Sequence, residues 1–302
     1  MPAPDVHPLP GREIVCAVPG AQHVDGQPAP PPVRLHVVEH GRRPEDGGGL
    51  PLVMLHGLPA TSYLWRHVAR DLERERLCVM PDLVGCGESE RPSDPRAYRL
   101  EEQAALLLGL LDRLGLGQVA VLGNDLGGAV AVHLAALAGP RVRALVLSGA
   151  PIHDLVWPTP PVVPLLLPGT GPALLGLLRA RPGLARRLVA RALGARLDDR
   201  ELDRYLSSLR SPEDATALLR LVRAVDLHPV ERAWEGLRHD PVPTLVLWGE
   251  RDRLRSPAYG RRLTAEMPGA VWAPISDAGH LVPAERPERV AEEVGGFLAD
   301  LS

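Results

Sequence analysis

The chain has 302 residues, 45% of them hydrophobic and 24% charged, with a formal net charge of -3. It can bury one large core and offers no electrostatic basis for binding nucleic acid or an anionic membrane surface. All 34 residues of the Lys+Arg count are Arg, which excludes a Schiff-base lysine and a P-loop lysine, and the three cysteines (Cys16, Cys78 and Cys86) lack the spacing of a zinc site or disulfide framework.

The segment "MPAPDVHPLPGREIV" has no basic region leading into an apolar run, so no signal peptide is expected, and the cysteine usage fits a reducing cytoplasm. Residues 1–12 and 26–32 are proline-rich and read as irregular. "REIVCAV" (12–18) and "VRLHVVEHG" (33–41) have β character, followed by a Gly-rich hairpin or loop over 42–49.

The pattern then alternates. "LPLVMLHG" (50–57), "RLCVMPD" (76–82), "QVAVLGND" (118–125) and "VRALVLSGA" (142–150) read as strands apolar on both faces. Helical spacing separates them in "SYLWRHVARDLE", "LEEQAALLLGLLDRLG" and "GGAVAVHLAALAG". Strands of this kind alternating with helices predict an α/β fold: a mostly parallel central sheet with helices on both faces.

Residues 151–240 break the rhythm, being rich in Pro, Leu and Arg with helical stretches and no strand. Their most apolar run, 160–178, is cut by Pro161, Pro164, Pro168 and Pro172, so it does not make a ~20-residue spanning helix. Strands return in "VPTLVLWGERD" (242–252) and "AVWAPISDAGH" (270–280), and "RPERVAEEVGGFLADL" closes the chain as a helix. The expected organisation is a first core part over 1–150, a helical cap over 151–240 and a second core part over 241–302.

Four motifs carry chemistry. In "GNDLGG" (123–128) a strand runs into a helix through small residues that push Asp125 outward, the geometry of a nucleophile elbow with aspartate in the nucleophile's place. Taken alone, Asp125 is equally an N-cap. "HGLP" (56–59) ends a buried strand, and its Leu58 N–H together with the N–H of Leu126 would form a two-donor oxyanion hole. His56, at the mouth of that loop, is counted with the substrate-side residues. Asp252 follows the strand "LVLWG", and His280 follows the last strand. The order nucleophile, acid, histidine is that of an α/β hydrolase.

On "HGLPATSYLWR", "PDLVGCGESERP", "GNDLGG", "LWGERD" and "DAGH", the chain resembles the α/β-hydrolase superfamily over nearly its whole length. Within it, the resemblance is to the aspartate-nucleophile branch of haloalkane dehalogenases and epoxide hydrolases. That resemblance implies the α/β-hydrolase fold with a helical cap, and a two-step reaction. Asp125 would displace a leaving group from an sp³ carbon to form an alkyl ester. His280, oriented by Asp252, would then activate water to hydrolyse it, with Leu58 and Leu126 holding the oxyanion. The types suit the task, because a carboxylate is ionised at neutral pH and needs no base to activate it.

The leaving group stays open between two readings. Resembling dehalogenases place a Trp after the nucleophile and often an Asn after the His-Gly pair; here Leu126 and Leu58 occupy those places. Trp157 would offer an indole N–H or serve as an apolar lid residue. Epoxide hydrolases use two cap tyrosines; here Tyr205 is the one candidate, and Val222 falls where the second would be. Tyr63 is expected to pack under the elbow.

The reading adopted is epoxide hydrolase-like, with haloalkane dehalogenation by the same mechanism as the alternative. A non-catalytic ligand-binding protein on the same fold, and an esterase or lipase working through a serine, are the readings of other kinds; Ser148 and Ser276 lie near strand ends but lack the small residues that frame an elbow. The chemistry calls for no metal or organic cofactor. The expected partners are water and a small hydrophobic substrate, suggested by Leu165, Leu166, Leu167, Leu174 and Leu175. Neither nucleic acid binding nor membrane insertion is expected, and the assembly is a monomer or homodimer.

Overall fold

The eight apolar runs of the sequence are eight strands: β1 (Gly11–Cys16), β2 (Val33–Gly41), β3 (Gly49–Leu55), β4 (Arg76–Pro81), β5 (Val119–Asn124), β6 (Val142–Ser148), β7 (Thr244–Gly249) and β8 (Val271–Ile275). The structure is a computed structural model that describes residues 11–18, 31–153, 159–167, 169–194 and 197–301. The strands form one sheet in the order β1-β2-β4-β3-β5-β6-β7-β8. β2 runs antiparallel to both β1 and β4, and every pair from β4 to β8 is parallel. Residues 42–48 are therefore a loop and not a hairpin turn, because β2 pairs with β4 while β3, which begins at Gly49, sits one place further in.

Successive side chains of a strand face opposite sides of the sheet. In β3, Val53 and Leu55 join one core, and Leu52 and Met54 join the other. Strand β5 divides in the same way, Val119 and Val121 against Ala120 and Leu122. That two-sided burial is why these segments read as unbroken apolar runs.

Three helices lie between the first strands: α1 (Arg66–Leu72), α2 (Leu100–Leu114) and α3 (Leu126–Ala138). Between β6 and β7 come α4 (Val163–Leu166), α5 (Thr170–Ala180), α6 (Pro182–Leu193), α7 (Asp199–Tyr205), α8 (Pro212–Ala224) and α9 (His228–His239). The last three are α10 (Pro257–Glu266), α11 (Val282–Glu285) and α12 (Pro287–Ala299). Helices α2, α3, α9 and α10 cover one face of the sheet, and α1 and α12 cover the other. Among the described residues no helix is long and apolar enough to cross a membrane.

The segment between β6 and β7 divides by its packing. Leu175 of α5 and Ala215, Leu218, Leu219 and Val222 of α8 form a small core of their own, against which Leu165, Leu166 and the loop residue Leu58 pack. Val230 and Trp234 of α9 instead enter the main core beside α3. We propose that the cap ends before α9, which belongs to the layer under the sheet.

Candidate active site

The parallel strands all point their carboxyl ends to one edge of the molecule, and the loops leaving β3, β5, β6, β7 and β8 meet there. Asp125 follows β5 and stands at the N-cap position of α3 with φ 51° and ψ −127°, a positive-φ conformation that costs a non-glycine residue on the order of 1–3 kcal/mol. The surrounding chain enforces it. The Asp125 N–H donates to Ser148 O at 2.9 Å, and its carbonyl accepts from the Gly128 N–H at 2.9 Å. Gly127 must lack a side chain, because a Cβ there would lie 2.4 Å from Leu55 O and 2.5 Å from His56 O. Gly57 approaches from β3 just as closely, since its Cβ would meet Asp125 Cβ at 2.4 Å.

The two carboxylate oxygens of Asp125 have different surroundings. Oδ2 accepts the Leu58 N–H at 3.0 Å. Oδ1 accepts from Arg255 Nη1 at 2.5 Å and lies 3.6 Å from His280 Nε2. Leu126 is the first residue of α3, so its N–H has no intrahelical acceptor and belongs to the same helix mouth.

His280 is fully buried, and its Nδ1 lies 2.8 Å from Asp252 Oδ2. Asp252 Oδ1 accepts the backbone N–H groups of Leu254 and Arg255, both at 2.9 Å, which fixes the carboxylate for the histidine. Asn124 ties the two halves together, its Nδ2 donating to His280 O at 3.1 Å and to Ser148 O at 3.2 Å. The cap reaches the same loop where the His280 N–H donates to Leu193 O at 3.2 Å, at the end of α6.

The charges set the protonation of the pair. Burial by itself would raise the Asp125 carboxyl, but the Arg255 guanidinium, the His280 ring and the Leu58 N–H outweigh it and hold the group far below the usual carboxylate range. Burial by itself would lower the His280 ring, but the Asp252 charge, the hydrogen bond to Asp252 and the nearby Asp125 carboxylate outweigh it and push the ring up to about 9. At neutral pH these shifts keep Asp125 a carboxylate and His280 an imidazolium.

Several expectations from the sequence are corrected here. His56 does not face the carboxylate: its Nε2 accepts the Leu83 N–H at 3.0 Å, so Nδ1 carries the proton and donates to Gly57 O at 3.0 Å. It is a buried bolt between the loops after β3 and β4. The Tyr205 hydroxyl is held by Arg66 Nη1 at 3.2 Å, and its ring packs 5.9 Å from that of Tyr63. Burial raises this phenol further above its ordinary range, and Glu201 completes the Arg66 cluster through an ion pair. Tyr63 sits under Arg66 rather than under the elbow, with the guanidinium carbon 3.8 Å from its ring centre.

Leu165, Leu166 and Leu175 pack into the cap's own small core, which accounts for their apolar character, whereas Leu167 is 50% exposed. Ser148 lies 3.4 Å from Asn124 Nδ2, and Ser276 donates to Glu250 at 3.0 Å. Trp157 lies outside the described residues.

Two contributors escaped the sequence reading. Arg255 is one arginine among several in "GERDRLRSP", and nothing in the spacing separates it from Arg251 or Arg253. Asp82, in the quoted "PDLVGCGESERP", is a buried anchor. It accepts the Ser62 N–H at 2.7 Å and the Glu88 N–H at 3.0 Å, and faces His36 Nδ1 at 3.0 Å. It thereby fastens the loop that carries Leu58 to the loop after β4.

An eight-stranded, mostly parallel sheet with an aspartate elbow at the carboxyl edge and a helical segment above it defines a class of enzyme. Residues 51–287 match the family described as alpha/beta hydrolase fold, and the chain belongs to that family and is an α/β-fold hydrolase. It is 26% identical over 280 residues to a cis-3-alkyl-4-alkyloxetan-2-one decarboxylase of Shewanella oneidensis, covering 88% of this chain and 86% of that one. It is 30% identical over 287 residues to haloalkane dehalogenase 2 of Mycobacterium tuberculosis, covering 86% and 90%. Among solved structures it is similar to the haloalkane dehalogenase DatA of Agrobacterium tumefaciens, with a TM-score of 0.75, 25% identity and 97% of each chain covered.

Proposed function

We propose that this hydrolase opens a strained oxygen ring, an epoxide in the first instance, through a covalent ester on Asp125. One observation carries the reading: Asp125 Oδ2 rests on the Leu58 N–H while Oδ1 lies 3.6 Å from the outer nitrogen of a histidine backed by Asp252. On this reading Oδ2 is the future carbonyl oxygen and Oδ1 the attacking atom.

The cycle closes on this chain's own groups. Oδ1 displaces the ring oxygen from an sp³ carbon, and the alkoxide formed takes the His280 proton across the hydrolytic water. His280 is then neutral. It accepts a proton from that water, and the hydroxide adds to Cγ while negative charge collects on Oδ2 at the Leu58 and Leu126 amides. Collapse releases the diol and restores the carboxylate and imidazolium. His280, buried and raised to about 9, suits a leaving group that needs a proton.

The haloalkane alternative draws on the name of the Mycobacterium tuberculosis relative. A departing halide takes no proton, so His280 would have to shed its own to solvent before it could serve as a base. Leu58 and Leu126 also lack the side-chain donors a halide requires. The decarboxylase relative is named for an oxetan-2-one, another strained oxygen ring, which supports the oxygen reading.

The test is a paired assay of styrene oxide and 1-bromohexane, with diol and bromide quantified. Diol release with the epoxide and negligible bromide release is expected. Bromide release with no diol would overturn the choice of leaving group.

A further inference from the structure

Arg255 enters the site from the loop between β7 and α10 and is only 4% exposed. Its Nη1 donates to Asp125 Oδ1 at 2.5 Å and to Gly149 O at 2.8 Å, and its backbone N–H is held by Asp252 Oδ1 at 2.9 Å. Its Nε is buried and has no partner among the described residues. Among those residues, the carboxylate it pairs with is that of Asp125 itself. A cation on the attacking oxygen is a poor preparation for attack, because it draws off the charge that makes a nucleophile. Its benefit must fall elsewhere in the cycle.

We propose that Arg255 is a catalytic residue of the second half-reaction, stabilising Oδ1 as that atom departs with the product. This rests on the Asp125-ester reading above. Since Oδ2 sits on the Leu58 N–H, Oδ1 is the atom that bonds to the substrate carbon and becomes the bridging ester oxygen. In the second step water gives a proton to His280 Nε2, and the hydroxide oxygen bonds to Cγ. When the tetrahedral intermediate collapses, the Cγ–Oδ1 bond breaks and Oδ1 leaves with the electron pair, attached to the substrate. The oxygen from water stays on Cγ, and the proton of the new carboxylic acid passes to the alkoxide to give the alcohol.

Negative charge therefore develops on Oδ1, the atom that Arg255 Nη1 touches. A fixed donor aimed at charge that appears only in the transition state accelerates that step. Esterification also removes the guanidinium's counter-ion. A buried cation without a partner is costly, and the cost is relieved as Oδ1 becomes anionic. The same contact slows alkylation and speeds hydrolysis of the ester.

The experiment compares the unmodified protein with Arg255→Met, Arg255→Lys and His280→Gln. Each is mixed with styrene oxide and, in parallel, with 1-bromohexane, quenched rapidly and read by intact mass, beside steady-state kinetics. His280→Gln should accumulate a stable adduct with styrene oxide, formed slowly because the alkoxide must take its proton from solvent. Arg255→Met should form the adduct and clear it roughly 100-fold more slowly than the unmodified protein, the scale of losing one such donor. Its kcat should fall while kcat/KM, which reports alkylation, holds or rises. Arg255→Lys should recover part of the clearance. Arg255→Gln takes the place of Arg255→Met if the latter does not fold.

Clearance at the unmodified rate in Arg255→Met would overturn the assignment. So would failure of that variant to form an adduct that His280→Gln does form. Absence of adduct in His280→Gln and Arg255→Met alike would instead remove the Asp125 ester, and the role of Arg255 with it.

Discussion

His280 Nδ1 stands 2.8 Å from Asp252 Oδ2, and the same ring turns its other nitrogen to Asp125 Oδ1 at 3.6 Å, so one imidazole is shared between two buried carboxylates. The two negative charges make the ring a proton store in the resting state. In the proposed reaction they also make it a base on demand, because alkylation of Asp125 would remove one of them.

This sharing fixes a pH dependence. The free-enzyme ring is raised to about 9, and the first step as proposed would consume its proton, so kcat/KM for an epoxide should fall as pH rises through about 9. Asp252→Asn removes a charge that supports the imidazolium, and the falling limb should move to lower pH. Initial rates between about pH 6 and about pH 10 check both outcomes.

The same shift has a consequence for stability. The folded pKa lies above the ordinary value of 6.5, so the folded state binds the proton more tightly than the unfolded chain does. That contribution is fully present below about pH 6.5 and is lost as pH rises through about 9. The urea midpoint should decline over this window, and His280→Gln should flatten the decline.

Tyr205→Phe separates the hydroxyl's two candidate roles. With the phenol bound to Arg66 rather than to the reacting atoms, the variant should keep activity within a few-fold and lose about 1 kcal/mol of stability. A loss of activity by several hundred-fold, measured with styrene oxide, would return Tyr205 to the role of proton donor.

Gly127→Ala addresses the elbow. The added methyl group would meet two backbone carbonyl oxygens of β3 and its loop, Leu55 O and His56 O, neither of which can swing away. Overpacking of this kind costs about 1–3 kcal/mol, and the displaced Asp125 should lower kcat/KM as well. Denaturation in urea beside the kinetic assay reads both.

The inner strands of the sheet were legible in the sequence because burial on both faces leaves unbroken apolar runs, while β1, β2 and β8, partly exposed, showed only β character between turn signals. Asp125, His280 and Asp252 were legible because each follows a strand and small residues frame the first of them. His56 misled because its position in the chain resembles that of a site residue, while its two hydrogen bonds depend on which way the ring turns. Tyr205 misled because composition left one phenol in the cap, whereas Arg66, which claims it, lies 139 residues away. Arg255 was hidden because a guanidinium's direction within an arginine-rich loop is decided by tertiary contacts with Gly149 and Asp125.

The most direct measurement is a single turnover with excess protein in ¹⁸O-water, followed by peptide mass spectrometry. If Asp125 carries the substrate as an ester split at Cγ, the label enters the peptide containing Asp125, and the product alcohol formed at the attacked carbon is unlabelled. Label found in the product and none in that peptide would contradict the account.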